Sequence, residues 1–238
     1  MSCEKIKNHV KNVCLKGEYG DSGHITKFVS HSVEWVFAED SEHTIEDENY
    51  IHKLFEELSI LTNIHFVQKY SIKNVENPYI LIYIGNQQTF DEKYLSESIG
   101  NINVSGYANW NARNHKIYKS NVFVSSELQG IKRRDVLREE ITQALGNTGD
   151  TEYNNTIFYQ YKYKDNDYFD KYFDLDKKVL IFLYNQDTLP GQTMDDIDNM
   201  DCKSIEAMSR GERVEKKDIQ LSIVLCIILI ICFLVFTN

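Results

Sequence analysis

The last twenty residues, Ile219–Asn238, contain no Asp, Glu, Lys or Arg, and Ile219–Thr237 is almost wholly apolar. A helix of that length spans about 28 Å, close to the hydrocarbon thickness of a bilayer. Core elements are seldom apolar all round, so residues 218–238 are expected to be a transmembrane anchor rather than part of a globular core. Lys216 and Lys217 precede this run, with Arg210 and Arg213 upstream, and only Thr237 and Asn238 follow it. The positive-inside rule then puts the preceding residues in the cytoplasm. Met1–Leu15 carries Glu4, Lys5, Lys7, His9 and Lys11 without an apolar run, unlike a signal peptide. The expected placement is a tail-anchored, single-pass membrane protein with its domain facing the cytoplasm.

With that run uncharged, the whole net charge of −10 belongs to residues 1–218. Such acidity argues against nucleic acid as a partner, because phosphate binding needs clustered Lys and Arg. Hydrophobic residues at 42% and charged residues at 26% are globular values. Of five cysteines, Cys226 and Cys232 fall in the apolar run. Cys3, Cys14 and Cys202 are widely spaced and form no C-x-x-C. They imply neither a zinc knuckle nor a disulfide framework, and they suit a reducing compartment.

The remainder divides into a loosely held polar leader (1–23), one domain (24–191) and a polar stalk (192–217). Ile25–Phe37 reads as strand. Thr44-Ile-Glu-Asp47 resembles a capping box and opens a helix to about Leu61, with Ile51, Leu54, Phe55, Leu58 and Leu61 on one stripe. Ile64–Tyr70 and Tyr79–Ile84 read as strands, the second apolar on both faces and so central. Residues 85–103 read as loop. Val104–Trp110 and Lys116–Val124 read as paired strands across Asn111–Asn114. Ile131–Leu145 reads as helix with Gly146 at its end, and Leu175–Tyr184 as a helix behind Asp174. This order predicts an α+β fold with one mostly antiparallel or mixed sheet.

The segment that can carry chemistry is Arg138-Glu-Glu-Ile-Thr-Gln-Ala-Leu-Gly146. In a zinc protease of the H-E-x-x-H type, two ligands four apart face the same way on a helix. The Glu beside the first ligand activates the metal-bound water. Glu139 and Gln143 stand at the two ligand positions and Glu140 at the position of the base. Gly146 stands at the turn, and Asp150 follows.

With these residues the chain resembles an uncharacterised, mainly bacterial family of metzincin-like, zincin-fold proteins. The resemblance rests on the E-E-[IL]-T-Q-x-L-G helix (Glu139–Gly146), Asp150, Thr156-Ile-Phe158, and Leu180–Tyr184 with Pro190-Gly191, and covers about residues 25–195. It implies a zincin-like mixed sheet with two main helices and a peptidase ancestry. Both helix histidines are absent, and all seven histidines precede the motif. Carboxylate and amide oxygens suit Ca²⁺ or Mg²⁺ better than zinc. The expected metal set of Glu139, Gln143 and Asp150 therefore holds no metal or a weakly bound divalent ion, with Glu140 as the catalytic residue of any residual hydrolysis. Three readings stay open: a solvated helix face with Gln143 at its polar rim, a degenerate cleft that binds peptide or protein, and a working hydrolase. The leading expectation is the degenerate metallopeptidase-like domain on a membrane anchor. The alternative is a non-catalytic structural or interaction protein of a membrane or envelope.

Overall fold

The computed structural model describes residues 1–16, 23–76, 78–94, 104–146, 149–160 and 168–213. Five strands form one mixed sheet in the order β2-β1-β3-β5-β4. They are β1 (Ser32–Phe37), β2 (His65–Lys69), β3 (Tyr79–Gly85), β4 (Gly106–Arg113) and β5 (Lys116–Ser125). β1 pairs in parallel with β2 and β3, and β3 in parallel with β5, with Trp35 opposite Ile80 and Tyr83 opposite Phe123. β4 alone runs back along β5, joined through Asn114 and His115, both at positive φ as a tight two-residue hairpin turn requires. The sheet is mixed, as expected, but parallel pairing dominates it. The parallel pairs are made by crossovers, whose strand direction local pattern does not report.

β3 is buried along nearly its whole length at the centre of the sheet, as a strand apolar on both faces must be. On one side lie α1 (Cys3–Val10), α2 (Ile45–Thr62), α4 (Gly130–Gln143), α5 (Asp174–Tyr184) and α7 (Cys202–Met208), around a core that includes Trp35, Leu54, Ile82, Val122, Leu137, Ile141 and Leu180. On the other side α3 (Gln87–Tyr94) inserts Phe90 among Val36, Leu81, Tyr83 and Phe123. This α+β architecture puts α4 against β4 and β5, with α2 alongside.

α2 begins at the expected capping box, in which Thr44 and Asp47 satisfy each other's backbone N–H, and it ends at Asn63 in the left-handed conformation. Other elements differ from expectation. The leader is structured: α1 continues into a π-helical turn (Lys11–Leu15), and Ile6, Val10, Val13 and Leu15 are buried in the main core. Its apolar stripe is diluted by lysines, which hides it from a composition scan. The expected stalk folds back as α6 (Met194–Asn199) and α7, burying Ile197, Ile205 and Met208. α3 lies where loop was expected, and only Ser32–Phe37 of the first expected strand is regular. α5 is capped not by Asp174 but by Asp176, which accepts from the N–H of Phe173 at 2.9 Å.

Cys3 and Cys202 form a disulfide that joins α1 to α7 across 199 residues of sequence. The expectation of no disulfide fails because spacing along the chain says nothing about which helices dock. Among the described residues no helix is long and apolar enough to cross a membrane. The expected anchor (218–238) and its flanking Lys216 and Lys217 lie outside the described residues.

Candidate functional site

Helix α4 starts exposed and ends enclosed. Ile131 is exposed, whereas every residue from Asp135 to Gly146 is buried. Arg138, Glu139, Glu140 and Gln143 are each no more than 6% exposed, so the solvated-face reading of this helix is incorrect. Arginines pin the helix to α2. Arg138 donates to Glu57 at 2.8 Å and to the Tyr50 hydroxyl at 3.2 Å, and its guanidinium stacks over the Tyr172 ring at 4.4 Å. Arg133 donates to Asp47 at 2.9 Å and to the carbonyls of Ser126 and Leu128. Thr142 hydrogen-bonds the Tyr172 hydroxyl at 2.6 Å. Taking two carboxylates as far from water as Glu139 and Glu140 is costly unless each is hydrogen-bonded or paired.

Glu140 and Val136, one turn apart, both stand over Gly106 at the start of β4. A Cβ at Gly106 would lie 2.6 Å from Glu140 Oε1 and 2.4 Å from Val136 Cγ1. The glycine therefore lets the helix and its carboxylate settle onto the strand. Among the described residues β4 is the last strand of the sheet, and its residues are half-buried or exposed. Ala108, Trp110 and Ala112 turn inward against the main core. The Trp110 indole N–H is buried with no acceptor among the described residues.

The end of α4 is fixed by close backbone approach. Gly146 has φ +108°, and a Cβ there would meet the Thr26 carbonyl oxygen at 2.0 Å. Gly149 lies against the carbonyls of Asn12 and Lys16 in the same way, at 2.0 and 2.1 Å. The Tyr184 hydroxyl donates to the Leu145 carbonyl at 2.7 Å, and Ser120 to that of Ala144 at 2.7 Å. Asp150 follows this turn and is half-buried.

Two buried polar clusters hold the start and the end of α5. Asp176 accepts from the Thr156 hydroxyl and from the N–H of Ile157 and Phe173, with His9 Nε2 3.8 Å away. Lys27 donates to the carbonyls of Leu183, Thr188 and Asn185 at 2.7, 2.6 and 3.3 Å, closing the end of α5. Burial pushes the Lys27 amine down to about 8. Both clusters join residues more than 140 apart in sequence, which no local motif reports.

The donors do not fit zinc. Glu139 and Gln143 share a helix face, but they offer one carboxylate and one neutral amide where zinc takes imidazole or thiolate. Among the described residues, no three His, Cys, Asp or Glu side chains converge at α4; the one such group is Cys3, Glu4 and Cys202, whose sulfurs are bonded to each other. Glu140 is a buried carboxylate packed over Gly106 at the start of β4.

A family model described as protein of unknown function (DUF2927) matches residues 4–200, and the chain belongs to that family. The match takes in α1 through α6, including the expected leader. No curated protein sequence matches the chain.

Proposed function

We propose that this DUF2927 member is membrane-bound through Ile219–Thr237 and that its domain, zincin-like and metallopeptidase-derived, binds an extended peptide or protein segment along β4 without cleaving it. The observation that carries this reading is the seating of Glu140 on Gly106, which sets a buried carboxylate beside an edge strand. An added strand gains main-chain hydrogen bonds from such an edge, and side chains beside it select the sequence. What speaks for binding over hydrolysis is the donor set, since neither Glu139 nor Gln143 replaces an imidazole. No step is assigned to a metal.

The test is titration of the full chain in detergent micelles with a pool of fluorescent, unstructured heptapeptides. Saturable binding that weakens about tenfold in Glu140→Ala, with peptides recovered intact, supports the reading, since loss of one buried charged contact costs about 1.5–3 kcal/mol. Peptide cleavage abolished by Glu140→Gln would replace it with the hydrolase.

The orientation follows from two features that disagree. Lys216 and Lys217 favour a cytoplasmic domain. The Cys3–Cys202 disulfide favours a second reading, a domain on an oxidising side of the membrane. Reaction of intact cells with a membrane-impermeant amine reagent separates them, because only an outward domain is labelled.

A further inference from the structure

The end of the sheet from which β1, β2, β3 and β5 start carries two adjoining clefts, of about 720 and 580 Å³, that meet at Val29 and Ser30. Among the described residues neither is lined by a single Asp or Glu, in a chain of net charge −10. The lining instead brings together His31, Arg113, Lys116, Arg210 and Arg213. Arg210 is paired with Glu212, whereas His31, Arg113, Lys116 and Arg213 are exposed. The same clefts hold exposed apolar side chains: Ile60 is 85% exposed, Leu189 58% and Val29 50%. Apolar tips ringed by cations are the chemistry of a surface that meets anionic lipid headgroups.

The path of the chain makes the same demand. Arg213 lines the larger cleft, and the apolar run begins at Ile219. Six residues reach at most about 20 Å in any conformation. If that run is in the bilayer, this end of the domain cannot stand far from the headgroups. We propose that this end of the sheet docks on the anionic bilayer surface, with Val29, Ile60 and Leu189 as apolar contacts and Arg113, Lys116 and Arg213 facing lipid phosphates. This rests on the anchoring of Ile219–Thr237 proposed above. Docking there leaves Tyr70, which follows the opposite end of β2, turned away from the lipid.

The test uses the full chain reconstituted into vesicles of phosphatidylcholine alone and of phosphatidylcholine with one-third phosphatidylglycerol. Flotation with both is read first; failure to float overturns the anchor and the docking with it. In floating samples, amide exchange at residues 29–31 is expected to slow about tenfold in the anionic vesicles relative to the neutral ones, with residues around Tyr70 unchanged. R113E/K116E, two exposed hairpin substitutions, should abolish that difference while the protein still floats. Equal exchange in both vesicles from wild-type protein that floats would overturn the docking alone. So would protection that appears in neutral vesicles and grows with protein concentration, which marks a second copy of the chain as the occupant.

Discussion

The Glu140 side chain occupies the space that a Cβ at Gly106 would need, with 2.6 Å between that atom and Oε1. Strand β4 and helix α4 are thus fitted to each other through a carboxylate and a missing methyl. Gly106→Ala must push aside Glu140 and Val136 or lift the strand. Overpacking of this kind costs about 1–3 kcal/mol, which denaturant unfolding would read as a lowered midpoint, and peptide binding should weaken with it. An unchanged midpoint would mean that the contact between helix and strand is loose.

Gly146 should be less tolerant still. Its φ of +108° strains any L side chain, and the Thr26 carbonyl stands 2.0 Å from where the Cβ would be. Gly146→Ala is expected to destabilise by about 3 kcal/mol or more, from backbone strain and a clash with main chain that cannot rotate away. The neighbouring effect at Gly149 should be similar, since its obstacles are also backbone carbonyls.

Asp176 gathers three donors in a site with no solvent access. Asp176→Ala strands the Thr156 hydroxyl and two backbone N–H groups, a loss of about 3–5 kcal/mol. Thr156→Val removes one donor from the same carboxylate and should cost about 1–2 kcal/mol. A combined variant no worse than Asp176→Ala alone would show that Thr156 acts through Asp176.

These cases show what the sequence carried. The blocks that give the chain its resemblance serve separate places: Thr156 lies on the cap of α5, Tyr184 on the Leu145 carbonyl at the end of α4, and Gly191 beside His115. Periodicity found α2, β3, β5 and α4 because each has a one-sided or fully apolar pattern. It missed α1, α6 and α7, whose buried apolar residues are few and set among charges, so that their burial depends on a partner helix distant in sequence. The burial of Glu139 and Glu140 was equally illegible, because a charged pair on a helix looks the same whether it faces water or a neighbouring strand. Arg138 belongs with them, since its partners Tyr50, Glu57 and Tyr172 come from two distant parts of the chain.

Lys27 gives a pH dependence of known sign. Burial lowers its amine from 10.5 to about 8 in the fold. Between those values the unfolded chain binds the proton that the folded chain has released, so stability rises with pH across that window. The cost of the buried charge is full below about pH 8 and is relieved by about 3 kcal/mol toward pH 10.5. Unfolding measured from pH 8 to 10.5 should therefore show a rising contribution in the wild type that is absent in Lys27→Met. Lys27→Met should also be less stable throughout, because the carbonyls of Leu183, Asn185 and Thr188 lose their donor. A contribution that falls with pH would contradict the depressed amine.

The proposed zincin ancestry can be tested by placing imidazoles at the two expected ligand positions. Glu139→His with Gln143→His puts two imidazoles four apart on one face of α4. Zinc affinity of this double variant, measured by competition with a chromogenic chelator, should exceed that of the parent by about 100-fold or more, as expected when nitrogen donors replace oxygen. Equal affinity in the two proteins would mean that α4 does not present residues 139 and 143 to a common point.

The central claim is that β4 receives a peptide beside Glu140, and amide hydrogen exchange of Gly106–Arg113 tests it most directly. The full chain is compared with and without a saturating pool of unstructured heptapeptides. Slowed exchange along β4 is expected in the presence of peptide, lost in Glu140→Ala while the rest of the sheet keeps its protection. Unchanged exchange at β4 with the pool present, or slowing confined to β2 at the other edge of the sheet, would contradict it.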